Sequence, residues 1–351
     1  MAKMRSATLL APYDIRIDEI ERPECDADSV IVKTEGLGIC GSNLHWWYGG
    51  GAATALLIYP MPGAGGHEFA GVVAEVGKNV TRVRPGDRVT IDQFESMSCG
   101  GCVYCGSGLY TQCVNRRFLQ PDGFVEYLKL SEKGLYKLPA NVETHVAALV
   151  QPYACSVSAV RRAALRGGET VVVLGAGVLG LCAAATAKLL GAEKVIITAK
   201  YDTQRALAAR FGADAVLSSS ADNVLDQLLA ETGGRGADVV VETVGGHAPT
   251  LSQAMDVVRP AGTVVVLGLW DELVPVDSWK AILKDITFMF CLNHGVIGKK
   301  SDYELCVEWM ATGKVPAQDL VTHAVPLDQI AEAFRLAADK KTGAIKVIVR
   351  P

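Results

Sequence analysis

A chain of 351 residues is too long for a single typical core and suggests about two domains. Half of the residues are hydrophobic, 21% are charged and the formal net charge is −4. That is the composition of a soluble globular protein, with no field of either sign strong enough to favour nucleic acid as a partner.

The opening "MAKMRSATLLAPYDIRIDE" lacks the apolar core and small-residue cleavage site of a secretory signal and reads as a first strand. No apolar run approaches the roughly 20 residues of a membrane span, so the default expectation is a cytoplasmic protein. Through the first 150 residues, short β-like runs such as "SVIVKTEGLG" and "EFAGVVAEVG" alternate with turn signals such as "RPGDRV", which predicts an all-β or mixed domain.

Two clusters in that region carry chemistry. "GICGSNLH" packs Cys40, Ser42, Asn43 and His45 into six positions. Further on, "CGGCVYCGSGLYTQC" spaces Cys99, Cys102, Cys105 and Cys113 as C-x2-C-x2-C-x7-C. Short cysteine spacings let one loop wrap a tetrahedral zinc ion, so a structural zinc site is predicted over an iron-sulfur cluster. Cys25, Cys155, Cys182, Cys291 and Cys306 show no paired spacing and read as small buried hydrophobes.

From about residue 156 the rhythm changes. "ETVVVLGAG" is a strand ending in glycines, "VLGLCAAATAKLLGA" a helix with a glycine stop, and "KVIITA" a second strand, together a βαβ unit. "ADVVVETVG", "PTLSQAMDVVRPAG" and "TVVVLGL" continue the alternation, which predicts a parallel sheet covered by helices. "GAGVLG" supplies Gly175, Gly177 and Gly180, with Val178 and Leu179 opening the helix. The three glycines permit a tight turn, close backbone approach to a pyrophosphate and tight helix–strand packing.

An acidic residue gripping an NAD ribose belongs at the end of the second strand. There the chain has Ala199, then Lys200, with Arg205 nearby, so a 2′-phosphate and therefore NADP are predicted over NAD. After about 295 comes a helix around "SDYELCVEWMATG" and a final strand "AIKVIVRP" that returns to the first domain.

These motifs, with "GAGGHEFAGVVAEVG" and "VQPYACSVSAV", stand in the order in which they occur in the zinc-dependent medium-chain alcohol and polyol dehydrogenases, which the chain resembles from end to end. The sorbitol and threonine dehydrogenase branch is the closest in look, because Glu68 follows His67 and "QPY" resembles that branch's Glu-Pro motif. The resemblance implies a GroES-like catalytic domain from residues 1–155 and 295–351, a Rossmann domain over 156–294, and substrate bound where the two meet. It implies a catalytic zinc held by Cys40, His67 and Glu68, with Gln151 at the place of a glutamate that coordinates zinc or holds its water.

By similarity, Ser42 takes the proton of the bound alcohol and passes it through the cofactor ribose towards His45. Asn43 replaces the usual aspartate that supports the zinc site. An amide accepts a hydrogen bond but brings no charge, so a working but weakened site is expected. Two other readings remain open: a zinc-independent reductase of activated carbon-carbon double bonds, and a nucleotide-binding structural or regulatory protein without turnover. Trp46, Trp47 and Tyr48 stand beside the catalytic loop, and Phe94, Glu95, Arg116 and Phe118 are candidate cleft residues by analogy. His145, His247, His294 and His323 have no assigned role. The family also implies a homodimer or homotetramer formed at the Rossmann sheet edge, for which "GTVVVLGLWDELVPVD" could supply the strand.

Overall fold

The computed structural model describes residues 2–50, 59–117, 123–292 and 294–351. The chain divides into two compact units, Met1–Gln151 with Gly295–Pro351, and Pro152–His294. The division falls inside the helix Val150–Arg162, whereas the change in sequence rhythm stood at 155/156, because a continuous helix hides a boundary from periodicity.

The first unit is built on a seven-stranded sheet. Its centre is the strand Ser29–Gly38, rich in β-branched residues and buried along most of its length. It pairs antiparallel with Glu68–Val76, from Val30 opposite Val76 to Gly38 opposite Glu68. On its other side the late strand Lys346–Arg350 pairs antiparallel, with Ile348 opposite Gly38. The end of one strand, the start of a second and a segment some 300 residues later in the chain therefore converge at Gly38. The residue must be glycine, since a Cβ there would lie 2.0 Å from the Glu68 carboxylate.

Leu9, Val32, Leu37, Phe69, Phe124 and Phe334 form the core beneath this sheet. Burial of each contributes about 1.5–3 kcal/mol, enough to hold the sheet ends rigid.

The second unit is a six-stranded, wholly parallel sheet. Its strands run in the order Ala215–Ser218, Lys194–Ala199, Thr170–Leu174, Ala237–Glu242, Val258–Val266, Thr287–Phe290. Val171, Val172 and Val173 are fully buried, as strands covered on both faces require. Chain progression reverses between Thr170–Leu174 and Ala237–Glu242, and such a switch point opens a crevice at the carboxyl ends of the strands.

The predicted edge segment needs correction. Its first residues belong to the penultimate strand, and the chain then passes through the helix Ser278–Leu283 to form the edge strand Thr287–Phe290. The earlier strand stops at Val266, with Gly268 two residues beyond and Asp271, Glu272 and Pro275 following before the helix.

Candidate active site and metal centres

Among the described residues, two groups of three or more histidine, cysteine or acidic side chains could each hold a metal ion. One is Cys40, His67 and Glu68, and the other is Cys99, Cys102, Cys105 and Cys113; within each group all the ligand atoms lie within 4.8 Å of one another. His145, His247, His294 and His323 belong to neither.

In the four-cysteine lobe, the Cys102 and Cys105 sulfurs are 3.5 Å apart and those of Cys99 and Cys105 3.9 Å. A tetrahedron with Zn–S bonds of about 2.3 Å has edges of about 3.8 Å, so the spacing fits one zinc ion and is too small for a cluster. None of the ten cysteines forms a disulfide. Cys155, Cys182, Cys291 and Cys306 are buried as expected; Cys25 differs, being partly exposed with its thiol 3.3 Å from the Ser29 carbonyl.

The first group is assembled by the sheet. Cys40 follows the strand Ser29–Gly38 and caps the helix Gly41–Tyr48, which stops at left-handed Gly49. His67 immediately precedes the neighbouring strand, which Glu68 opens. His67 Nδ1 lies 2.9 Å from the Gly65 carbonyl, so in the neutral ring that a metal ion requires that nitrogen donates and Nε2 is the one free to ligate; Ser42 Oγ stands 3.4 Å from Nε2. Trp46 packs edge-to-face on His67, with ring centroids 6.4 Å apart. His45 is half-buried, three residues beyond Ser42 on one face of the same helix. Gln151 is buried in the first turn of Val150–Arg162.

Electrostatically the group is a buried cluster of opposed charges. Burial pushes the Cys40 thiol up, but His67 and Lys346 offset this and hold it below its ordinary range. Burial disfavours an imidazolium at His67, yet Cys40 and Glu68 raise its titration to about 9. Sequence reasoning missed Lys346. Its ammonium lies 2.7 Å from both oxygens of Glu68 and 2.8 Å from the Ile39 carbonyl, and both side chains are buried. A lysine inside the apolar run "AIKVIVRP" was the available signal, since Lys is almost never fully buried unless paired. Lys340 is a second cation near Cys40, lowered to about 8 by burial and by Lys346.

Of the candidate cleft residues, Phe94 lies under the Arg116 guanidinium at 5.5 Å, and Glu95 accepts a hydrogen bond from the Tyr136 hydroxyl. Phe118 lies outside the described residues.

In the second unit, Gly175 is left-handed at φ 99° and Gly177 caps the helix Val178–Leu189. A Cβ at Gly180 would strike the Gly175 carbonyl at 1.8 Å, which requires the third glycine, whereas one at Gly177 would meet nothing within 4 Å. The second glycine thus faces open space at a helix N-terminus without acidic residues in its first turn, the arrangement that receives a pyrophosphate. Ala199 ends its strand buried. The Lys200 ammonium is 5.7 Å from the Tyr201 ring, and Arg205 pairs with Asp202 and donates to the Lys200 carbonyl.

Comparison with known proteins matches residues 26–140 to the alcohol dehydrogenase GroES-like domain and 178–312 to the zinc-binding dehydrogenase family. The chain is 30% identical to a sorbitol dehydrogenase of Bacillus subtilis, covering 99% of this chain and 97% of that one. It is also 30% identical to an L-threonine 3-dehydrogenase of Bacillus velezensis, covering 97% and 96%. A structure from Sinorhizobium meliloti, described as a zinc-binding dehydrogenase bound to NADP, shares 29% identity over the full length of both chains with a TM-score of 0.86.

The chain belongs to the zinc-dependent medium-chain alcohol and polyol dehydrogenases. It is a zinc-dependent alcohol or polyol oxidoreductase that works with a nucleotide cofactor. No described helix is long and apolar enough to cross a membrane.

Proposed function

We propose that the chain interconverts a secondary alcohol of a polyol-like substrate and the matching ketone with NADP(H), at the site built from Cys40, Ser42, His45, His67 and Glu68. The observation that carries this reading is the convergence of Cys40, His67 and Glu68 at one point, with His67 Nε2 left as an acceptor. Cys40, His67 and Glu68 would hold a zinc ion that would supply Lewis acidity, and a bound nicotinamide nucleotide would supply the hydride acceptor.

The chain's own groups do the rest. Ser42 receives the substrate proton, and His45, on the same helical face, exchanges it with solvent. Lys346 anchors Glu68, so that carboxylate keeps one orientation. Asn43 supports Cys40 and the turn before His67, and Gln151 takes the place of a ligand or water-holding glutamate. The four cysteines Cys99, Cys102, Cys105 and Cys113 hold the structural zinc. Gly175, Gly177, Val178, Leu179 and Gly180 receive the pyrophosphate, while Lys200 beside Ala199 favours a 2′-phosphate, with Arg205 leaving Asp202 to join it.

Copies of the chain associate as a homodimer through the edge strand Thr287–Phe290. Support comes from its uncharged sequence and from the exposed Trp279, Ile282, Leu283, Phe290 and Leu292 around it.

Elemental analysis of protein purified without chelator tests the metal reading: about two zincs per chain are expected, and about one in Cys40→Ser. About one in both proteins, even after zinc is added, rejects the Lewis-acid site and leaves double-bond reduction as the better reading. Polyol oxidation assayed with NADP+ and NAD+ then tests substrate class and cofactor.

A further inference from the structure

Resting on the metal site read above, we propose that Asn43 is a positioning residue whose amide, as donor and acceptor together, sets Cys40 and His67 for one metal ion. A carboxylate at this position cannot do the same.

Asn43 is fully buried. Its Oδ1 accepts the Cys40 N–H at 2.9 Å, and its Nδ2 donates to the carbonyls of Gly65 at 2.8 Å and Ala64 at 3.3 Å. The same Gly65 carbonyl takes His67 Nδ1 at 2.9 Å. One amide therefore ties the backbone of the thiol ligand to the carbonyl that fixes the imidazole tautomer. Only this orientation works, because a reversed amide would turn its oxygen towards two carbonyls and its N–H groups towards another N–H.

The carbonyls are aimed by an unusual turn. Gly63, Ala64 and Gly65 are left-handed in succession, at φ 71°, 48° and 66°. Left-handed backbone is costly for alanine and persists only where its surroundings hold it. Here the Asn43 amide holds two of the turn's carbonyls, and Phe124 N–H holds the Gly63 carbonyl at 2.9 Å. Trp46 closes the same turn from outside, since a Cβ at Gly65 would lie 1.9 Å from its ring.

An aspartate at 43 keeps the acceptor for Cys40 but sets an anionic oxygen against two carbonyl oxygens at a fully buried position. The asparagine is thus matched to the turn it faces rather than a weakened aspartate.

The test compares wild type, Asn43→Asp and Asn43→Ala. Zinc affinity is measured by competition with a chromophoric chelator, and the cobalt(II)-substituted proteins by their visible spectra. Retention of one tightly held zinc by the four cysteines reports that the unit is folded. Asn43→Asp should bind the second zinc about 100-fold more weakly than wild type and Asn43→Ala about 10-fold more weakly, both with altered cobalt bands. A second zinc held by Asn43→Asp as tightly as by wild type, or more tightly, overturns the inference alone. Wild type that takes up no second zinc overturns the metal reading along with it. Should Asn43→Asp not fold, Asn43→Ala decides, and wild-type affinity with an unchanged cobalt spectrum counts against the inference.

Discussion

Lys346 Nζ lies 2.7 Å from each carboxylate oxygen of Glu68, a bidentate ion pair buried beside Cys40 and His67. Thiolate and carboxylate together match the charge of a zinc dication, but the ammonium restores one positive charge. A zinc ion would therefore face groups of net charge about −1, leaving the occupied site at about +1 and the ion a stronger Lewis acid than in a fully neutralised site.

Replacing Lys346 by methionine leaves Glu68 buried without its counter-ion. Breaking such a pair costs about 3–5 kcal/mol. Zinc can then take over part of the missing positive charge, so Lys346→Met should gain more thermal stability from added zinc than wild type does. Unfolding curves with and without zinc check this, and an equal gain in both proteins argues against any contact between Glu68 and the metal.

Glu95 gives a pH dependence. Burial, with Asp92 adding, pushes its carboxyl up from 4.5 to about 7, against the opposing hydroxyls of Tyr136 and Tyr110. Between those values the folded protein keeps a proton that the unfolded chain has released. Its stabilising contribution is full below about pH 4.5 and lost as pH rises through about 7. Glu95→Gln should be more stable than wild type at pH 8, by on the order of 1–2 kcal/mol allowing for partial solvent screening, and no more stable at pH 4.5. Thermal unfolding at the two pH values decides it.

The cofactor preference rests on Lys200. Removing its ammonium in Lys200→Ala should raise KM for NADP+ about tenfold, equivalent to about 1.4 kcal/mol, with little change for NAD+. Steady-state kinetics with both cofactors provide the check, and a parallel loss with both would place Lys200 away from the 2′-phosphate.

At the sheet edge, Phe290→Lys puts a charge on an otherwise uncharged strand. Light scattering should show the dimer weakened at least tenfold. A dimer of unchanged stability would move the interface elsewhere.

Much of this architecture could be read from the chain because it is encoded locally. "SVIVKTEGLG" spans the observed strand Ser29–Gly38, and "KVIITA" the strand Lys194–Ala199. The four cysteines and three glycines announce their loops through spacing alone. What could not be read depends on pairing across the chain: Lys346 reaches Glu68 only through the antiparallel register at Gly38. Asn43 was legible as a lost charge, but its donor role depends on a left-handed turn 20 residues away, which no local pattern shows. The edge strand was misplaced because "TVVVLGL" is more strand-like than "TFMF", and sheet order is not a local property.

The ion pair joins residues 278 positions apart. As the chain leaves the ribosome, all of Pro152–His294 is made between them, and a contiguous unit of that kind can fold on emergence. The first unit cannot: its acid waits for a base that arrives only after the whole nucleotide-binding segment has been synthesised. Until then Glu68 has no reason to leave water, and the catalytic pocket stays unformed. The order of synthesis thus makes an assembled nucleotide-binding unit precede a finished metal site.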